Sequence, residues 1–379
     1  MKIAIPLFFL SITLNIYTYS QQTINGSITH NGILRTYILY VPAIYSENTP
    51  VPLLFNFHGY TSNASQQLFY GDFRPLADTA NFIIIHPQGT LDVNGNTHFN
   101  VGWGGSTADD VGFTEALIDS ISLSYSIDQS RIYSVGMSNG GFMSLFLACT
   151  LSERIAAVGS VTGSMTPGMI NSCNPTHSIP LIQIHGTSDG TVPYDGLAGF
   201  SASLDNVLSY WVSVNNCNTS PISENLPDIN LNDGSNVEKY SYLNGEACAQ
   251  VIHYKVINGG HTWPGSSFVL AGTNLDFKAT VEIWNFIRNF SINGLNDCNG
   301  LYITESQEPK FLVSPNPCNK ILSITSNQEN TSFQLLSAVG TLVLSGELGY
   351  GLTTIDIGSL SPHVYYLQIG EMTVKVFKE

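Results

Sequence analysis

The stretch Tyr133-Ser134-Val135-Gly136-Met137-Ser138-Asn139-Gly140-Gly141 places Gly-x-Ser-x-Gly between two segments of different character. Before it, Arg131-Ile132-Tyr133-Ser134-Val135 is a short β-type run. After it, Phe142-Met143-Ser144-Leu145-Phe146-Leu147-Ala148-Cys149 is apolar and compatible with a helix. A strand that turns sharply into a helix lifts a serine hydroxyl into the open, and the flanking glycines let strand and helix approach closely. A second match, Gly186-Thr187-Ser188-Asp189-Gly190, runs into Thr191-Val192-Pro193, where proline blocks a well-formed helix. Only Ser138 has strand, corner and helix in order, which makes it the candidate nucleophile.

Working outward, Ser27-Ile28-Thr29-His30, Asn31-Gly32 and Arg35 to Val41 read as a β-hairpin with an Asn-Gly turn. The apolar runs at 51–57, 82–85, 155–158, 179–184 and 251–257 read as buried strands. Asp110 to Tyr125, Val207 to Val214 and Thr280 to Phe290 carry helical spacing between them. Alternation of this kind predicts an α/β fold, a doubly wound and mostly parallel sheet with its functional loops at the strand C-terminal ends. His58-Gly59-Tyr60, His185-Gly186-Thr187-Ser188-Asp189 and Gly259-Gly260-His261-Thr262-Trp263-Pro264-Gly265 all fall at such ends.

Acyl transfer by a serine needs a base for its proton, an acid to orient the base, and donors for the oxyanion. On this type of sheet the chain order is serine, acid, histidine. Ser138, Asp189 and His261 satisfy that order. Asp195 lies further from the strand end and Asp205 enters a helix. His253 sits inside an apolar strand, and His58, His86 and His185 precede the acid. The expected oxyanion donors are the backbone N–H of Asn139 and one from the loop at Gly59 and Tyr60. Trp103, Trp263 and Tyr60 are the aromatic side chains beside these loops and are expected to wall the substrate cleft, with Trp103 and Trp263 as the substrate-binding pair.

The chain of 379 residues has room for a catalytic core and a small appended domain. Its net charge of −15 with 13 Lys and Arg argues against nucleic acid or an anionic membrane as partner. Met1-Lys2 followed by Ile3 to Leu10, with small residues at Thr18 and Ser20, reads as a secretory signal peptide over 1–20. No segment of the mature chain is apolar over the ~20 residues that a spanning helix requires. Export permits disulfides among the six cysteines. Cys149 with Cys173 and Cys217 with Cys248 are the neighbouring pairs of the catalytic region, while Cys298 and Cys318 either pair or stay free. Neither Cys-x-x-Cys nor His-Glu-x-x-His occurs, so no metal and no cofactor is expected.

Taken in order, His58-Gly59-Tyr60, Trp103, Asp109-Asp110-Val111-Gly112-Phe113, Gly136 to Gly141, His185 to Asp189 and Gly259 to Gly265 resemble the extracellular esterase and polyhydroxybutyrate depolymerase family. This α/β-hydrolase group also contains secreted feruloyl and acetyl-xylan esterases. The resemblance covers about Gln22 to Ile292. It implies Ser138 as nucleophile, Asp189 as acid and His261 as base, and supports the pairs Cys149–Cys173 and Cys217–Cys248.

The remainder, with Ser314-Pro315-Asn316-Pro317, short alternating strands and Val364-Tyr365-Tyr366-Leu367, resembles the C-terminal β-sandwich sorting domain of type IX secretion substrates. Such tails often carry Gly before the Tyr, where this chain has Pro362-His363-Val364. A carbohydrate-binding sandwich would display exposed tryptophans, and this tail has none.

The expected organisation is a signal peptide over 1–20, an esterase domain over 21–295, a linker over 296–309 and an all-β sorting domain over 310–379. The expected activity is serine carboxylic-ester hydrolysis, removing feruloyl or acetyl groups from plant polysaccharides. Polyhydroxybutyrate depolymerase is the alternative, and a non-catalytic esterase-like binding protein the remoter one. The partners implied are a polymeric ester and the type IX secretion machinery, with a secreted or cell-surface location.

Overall fold

The computed structural model describes residues 21–296, 298, 311–326, 331–337, 340–370 and 372–378. The signal peptide and nearly all of the linker expected from the sequence lie outside these residues. The chain divides into two units, Met1–Leu301 and Tyr302–Glu379.

The first unit is built on one sheet of ten strands: β1 (Gln22–His30), β2 (Ile33–Val41), β3 (Val51–Phe57), β4 (Ile83–Pro87), β5 (Ile127–Met137), β6 (Ala157–Val161), β7 (Leu181–Gly186), β8 (Ile222–Asn225), β9 (Asn236–Tyr242) and β10 (Val251–Ile257). Their order across the sheet is β1-β2-β4-β3-β5-β6-β7-β10-β9-β8. The six central strands, β4 to β10 in that order, are mutually parallel. Each edge is an antiparallel hairpin. The first hairpin turns at Asn31 (φ 49°) and Gly32 (φ 77°), the left-handed pair that an Asn-Gly turn requires.

Four of the central strands, β3, β4, β6 and β7, are buried along their whole length, because helices cover both faces. The helices are α1 (Ala64–Tyr70), α2 (Arg74–Ala80), α3 (Asp110–Ser122), α4 (Asn139–Thr150), α5 (Pro167–Ser172), α6 (Leu204–Val214) and α7 (Ala279–Ile287). One apolar layer joins α3, α4 and α6 through residues such as Phe113, Leu145 and Trp211, and the other joins α2 and α7 through Ala77, Ile283 and Trp284. At the N-terminus of α3 the buried Asp110 receives Arg35 at 2.5 Å and the Asn100 N–H at 2.7 Å, which ties the loop after residue 98 to the first hairpin. Among the described residues no helix is long and apolar enough to cross a membrane.

The cysteine expectation is corrected in part. Cys149 pairs with Cys173, but Cys248 pairs with Cys298, and Cys217 is a buried free thiol. The cause is the return of the chain after α7. Its short hairpin, Phe290–Ser291 with Gly294–Leu295, packs Gly294 against Ala247, so the chain brings Cys298 to Cys248. Cys217 instead points its thiol at the Ala249 carbonyl. In the loop-entropy picture a link across 50 residues stabilises by about 4 kcal/mol.

In the second unit, Phe311–Ser314, Ile321–Ser326 and Gly351–Asp356 form one antiparallel sheet. Thr331–Ser337, Leu342–Leu348, Val364–Ile369 and Met372–Phe377 form another. Alternate residues, among them Leu322, Ile324, Phe333, Leu335, Leu367 and Val376, fill a separate apolar core.

Candidate active site

Strand β5 ends at Met137 and α4 begins at Asn139, leaving Ser138 at the corner with φ 54° and ψ −120°. That backbone is unfavourable for a residue with a side chain, at about 1–3 kcal/mol. It is held by the Ser138 N–H, which donates to the Val161 carbonyl at 2.8 Å, and by the first turn of α4, where the Phe142 N–H donates to the Ser138 carbonyl at 2.9 Å. The neighbouring glycines have a steric cause. A Cβ on Gly136 would stand 2.4 Å from the Gly140 carbonyl, and one on Gly140 would stand 2.2 Å from the Phe57 oxygen. The helix thus starts in contact with two strands.

The candidate acid and base come from the loops after β7 and β10. These strands pair in parallel up to Gly186 opposite Val256, so their loops leave the sheet side by side. A Cβ on Gly186 would lie 2.2 Å from the Gly259 oxygen, and the Ser188 N–H donates to that oxygen at 2.9 Å. The stapled loops bring His261 Nδ1 to 2.7 Å from Asp189 Oδ2. The other carboxylate oxygen of Asp189 accepts the N–H groups of Thr191 and Val192, each at 2.9 Å. Burial opposes the charge on Asp189. The hydrogen bond and charge of His261, the Val192 N–H and His185 outweigh it and hold the carboxyl below its ordinary pKa.

Two histidines set aside at the sequence level on chain order turn out to support these loops. His185 is fully buried, its Nδ1 facing the Gln183 amide at 3.3 Å. Its Nε2 is 2.8 Å from the Val192 carbonyl and 3.4 Å from Asp189 Oδ2. Burial lowers its pKa, so a neutral ring backs the carboxylate. His58 is buried with Nε2 accepting the Gly89 N–H at 2.9 Å, which leaves Nδ1–H to donate to the Gly59 carbonyl at 2.7 Å. Burial pushes its pKa down to about 4. The ring therefore fixes the peptide joining Gly59 to Tyr60. A Cβ on Gly59 would lie 3.4 Å from Ser138 Cβ and 3.9 Å from Ser138 Oγ, so this peptide borders the hydroxyl. The signal for His58 was its position before Gly59, where a side chain can reach its own loop.

Asn139 opens α4, so its N–H belongs to the group that a helix leaves without an intrahelical acceptor, at the end where the helix dipole favours negative charge. Its side chain binds Phe99 at both backbone groups, accepting the N–H at 2.7 Å and donating to the carbonyl at 3.0 Å. His253 is a core residue, bonded to Tyr194 Oη at 2.8 Å.

The aromatic wall needs correction. Trp263 is 1% exposed, packed edge-on against Phe73 and in contact with the position of Gly71, so it is a core residue and offers no face to a substrate. The corner between α1 and α2 closes over it. Trp103 is half-buried, 4.9 Å from Phe142 and stacked on Phe200 at 5.0 Å. Tyr60 is exposed, with its hydroxyl donating to Asp92 at 2.7 Å and accepting from Asn96 at 2.8 Å.

Residues 106–223 match the family described as Phospholipase/Carboxylesterase, and residues 312–379 match the Secretion system C-terminal sorting domain. The chain is 30% identical over 271 residues to a probable feruloyl esterase C of Aspergillus clavatus, an alignment spanning 69% of this chain and 85% of that one. It is 28% identical over 270 residues to feruloyl esterase B of Piromyces equi, spanning 68% of this chain. It is 23% identical over 278 residues to a bifunctional acetylxylan esterase/xylanase of Neocallimastix patriciarum, spanning 72% of this chain. The chain spans less than half the length of the latter two, 46% and 36%. The sorting domain marks the chain for type IX export to the cell surface or the extracellular space.

Proposed function

Because the chain belongs to the carboxylesterase family of α/β-hydrolases that includes the fungal feruloyl esterases, we propose that it is an exported serine esterase that removes feruloyl or acetyl groups from plant polysaccharides through an acyl-enzyme. The observation that carries this reading is the 2.7 Å bond from His261 to the buried Asp189, on the same sheet edge as the strained Ser138.

With Nδ1–H donated to Asp189, the Nε2 of His261 is the unprotonated nitrogen. It takes the Ser138 proton as Oγ bonds to the ester carbonyl carbon. The charge that develops on the carbonyl oxygen falls to the backbone N–H of Asn139 and to that of the Gly59–Tyr60 loop, each such donor lowering a barrier by about 3 kcal/mol. The bond to the sugar oxygen then breaks, and the proton held by His261 passes to that oxygen. Water repeats the sequence on the acyl-enzyme and regenerates Ser138. Asp189 stays ionised throughout, its charge supported by two backbone N–H groups and by His185.

Ser138→Ala is expected to abolish hydrolysis of p-nitrophenyl acetate while leaving the thermal transition in place, and the native enzyme to release ferulate or acetate from arabinoxylan. Full activity in the variant would remove the serine mechanism. Clearing of a polyhydroxybutyrate suspension with no release from arabinoxylan would replace the substrate.

A further inference from the structure

Strand β7 reads Leu181-Ile182-Gln183-Ile184-His185-Gly186 and is buried throughout. A parallel strand covered on both faces is ordinarily apolar along its length. Gln183 and His185 break that pattern, two residues apart and therefore on one face of the sheet. Both are fully buried. An amide and an imidazole taken out of water cost free energy unless their polar atoms are bonded, so the bonds they make indicate their purpose.

We infer that Gln183 and His185 are positioning residues for the candidate acid: the Gln183 amide locks His185 in its neutral, Nε2-protonated tautomer, which reserves the charge of Asp189 for His261. The inference rests on Ser138, Asp189 and His261 as the reacting set.

Bonds at opposite ends of the ring fix that tautomer. An amide nitrogen only donates, so the contact of Gln183 Nε2 with His185 Nδ1 at 3.3 Å makes Nδ1 the acceptor. At the other end Nε2 lies 2.8 Å from the Val192 carbonyl, which only accepts, so the proton sits on Nε2. The amide cannot turn over, because its nitrogen also donates to the Gly163 carbonyl at 2.9 Å and a flip would set oxygen against oxygen. This orientation leaves Gln183 Oε1 buried without a partner among the described residues, at a cost of about 1–3 kcal/mol. His253 steadies the Gln183 backbone, its Nδ1–H donating to the Gln183 carbonyl at 3.1 Å while Nε2 accepts the Tyr194 hydroxyl at 2.8 Å.

The consequence falls on Asp189. His185 Nε2 is 3.4 Å from Asp189 Oδ2, the oxygen that His261 Nδ1 meets at 2.7 Å. A second proton on His185 would have to sit on Nδ1, donor facing donor. A cationic ring at that distance would neutralise the shared oxygen and repel the imidazolium that forms on His261 when it takes the serine proton. The neutral ring does neither, and its burial works in the same direction.

The same bonds reach toward the serine. Gly163 stands two residues beyond Val161, whose carbonyl accepts the Ser138 N–H at 2.8 Å. Thr162 between them has φ 51°, backbone that a β-branched residue takes only under constraint. One short segment after β6 thus anchors Ser138 through its own backbone and Asp189 through Gln183 and His185.

The test uses the full chain. Nitrogen NMR of isotopically labelled histidine at about pH 7, with the His185 signals assigned by their loss in His185→Gln, is expected to show a bare Nδ1 and a protonated Nε2. This measurement decides the tautomer whatever the stability of any Gln183 variant. Gln183→Glu replaces the donor with an acceptor of the same size. It is expected to put protons on both ring nitrogens and to lower kcat for p-nitrophenyl acetate about tenfold with KM unchanged. Adding His185→Gln to Gln183→Glu removes the ring that carries the charge and is expected to restore most of kcat. A proton on Nδ1 of the native ring, a singly protonated ring in Gln183→Glu, a doubly protonated ring with kcat unchanged, or a kcat loss that His185→Gln does not relieve each overturns the assignment. Failure of the serine mechanism shows separately, as activity retained by Ser138→Ala.

Discussion

Asn139 grips Phe99 by both of its backbone groups, at 2.7 Å to the N–H and 3.0 Å to the carbonyl. The residue that follows the proposed nucleophile is thereby fastened to the loop whose Phe99 ring packs on His58 at 4.6 Å, the histidine that holds the Gly59 peptide. The two proposed sources of oxyanion donors are mechanically joined through one phenylalanine. Asn139→Ala strands two buried polar groups, each at a cost of about 1–3 kcal/mol, and is expected to lower both the urea midpoint and kcat. Asn139→Asp retains the bond from the Phe99 N–H and should lose less stability. Equal stability of Asn139→Ala and the native chain would contradict the link.

Arg35 and Asp110 are 3% and 1% exposed at their side chains, and the guanidinium also stacks 3.9 Å over the Phe113 ring. Asp110→Ala leaves that charge buried without its partner and is expected to cost about 3–5 kcal/mol in chemical denaturation. A loss under about 1 kcal/mol would show that the pair is not holding the loop.

The disulfide assignment is open to peptide mapping without reduction. Linked peptides are expected for Cys149 with Cys173 and for Cys248 with Cys298. Cys217, its thiol pushed up to about 11 by burial, should alkylate only after unfolding. A Cys217–Cys248 peptide would contradict this pairing.

Stability should fall in mild acid. Burial lowers His58 to about 4 and both His86 and His253 to about 3, against about 6.5 for an unfolded chain. Below pH 6.5 the unfolded chain takes up protons that the folded one refuses. The contribution of each ring is therefore complete above pH 6.5 and lost as pH falls toward its folded value, at about 1.4 kcal/mol per pH unit within that window. Denaturation midpoints at pH 8, 7.5 and 5 should be level between the first two and lower at the third. A midpoint at pH 5 equal to that at 7.5 would contradict the neutral buried state of these rings.

The parallel centre of the sheet was legible because its strands are continuous apolar runs, and the 51–57 and 251–257 segments coincide with β3 and β10. The elbow was legible because Gly136, Ser138 and Gly140 answer to contacts within a few residues and with two neighbouring strands. Properties set by distant packing were not. Trp263 reads as a cleft aromatic beside His261, but Gly71 and Phe73, nearly two hundred residues earlier, close over it. Cys298 finds Cys248 through a two-residue hairpin carrying no strong pattern. His185 gave no sign of its supporting role, because that depends on which carbonyl its ring meets.

The measurement closest to the central claim is covalent labelling with a fluorophosphonate, followed by mass spectrometry of the digested protein. One adduct per chain is expected, on Ser138, formed in step with loss of p-nitrophenyl acetate hydrolysis, and much slower in His261→Ala. An adduct on another residue that removes the activity, or full inactivation with Ser138 unmodified, would contradict the account.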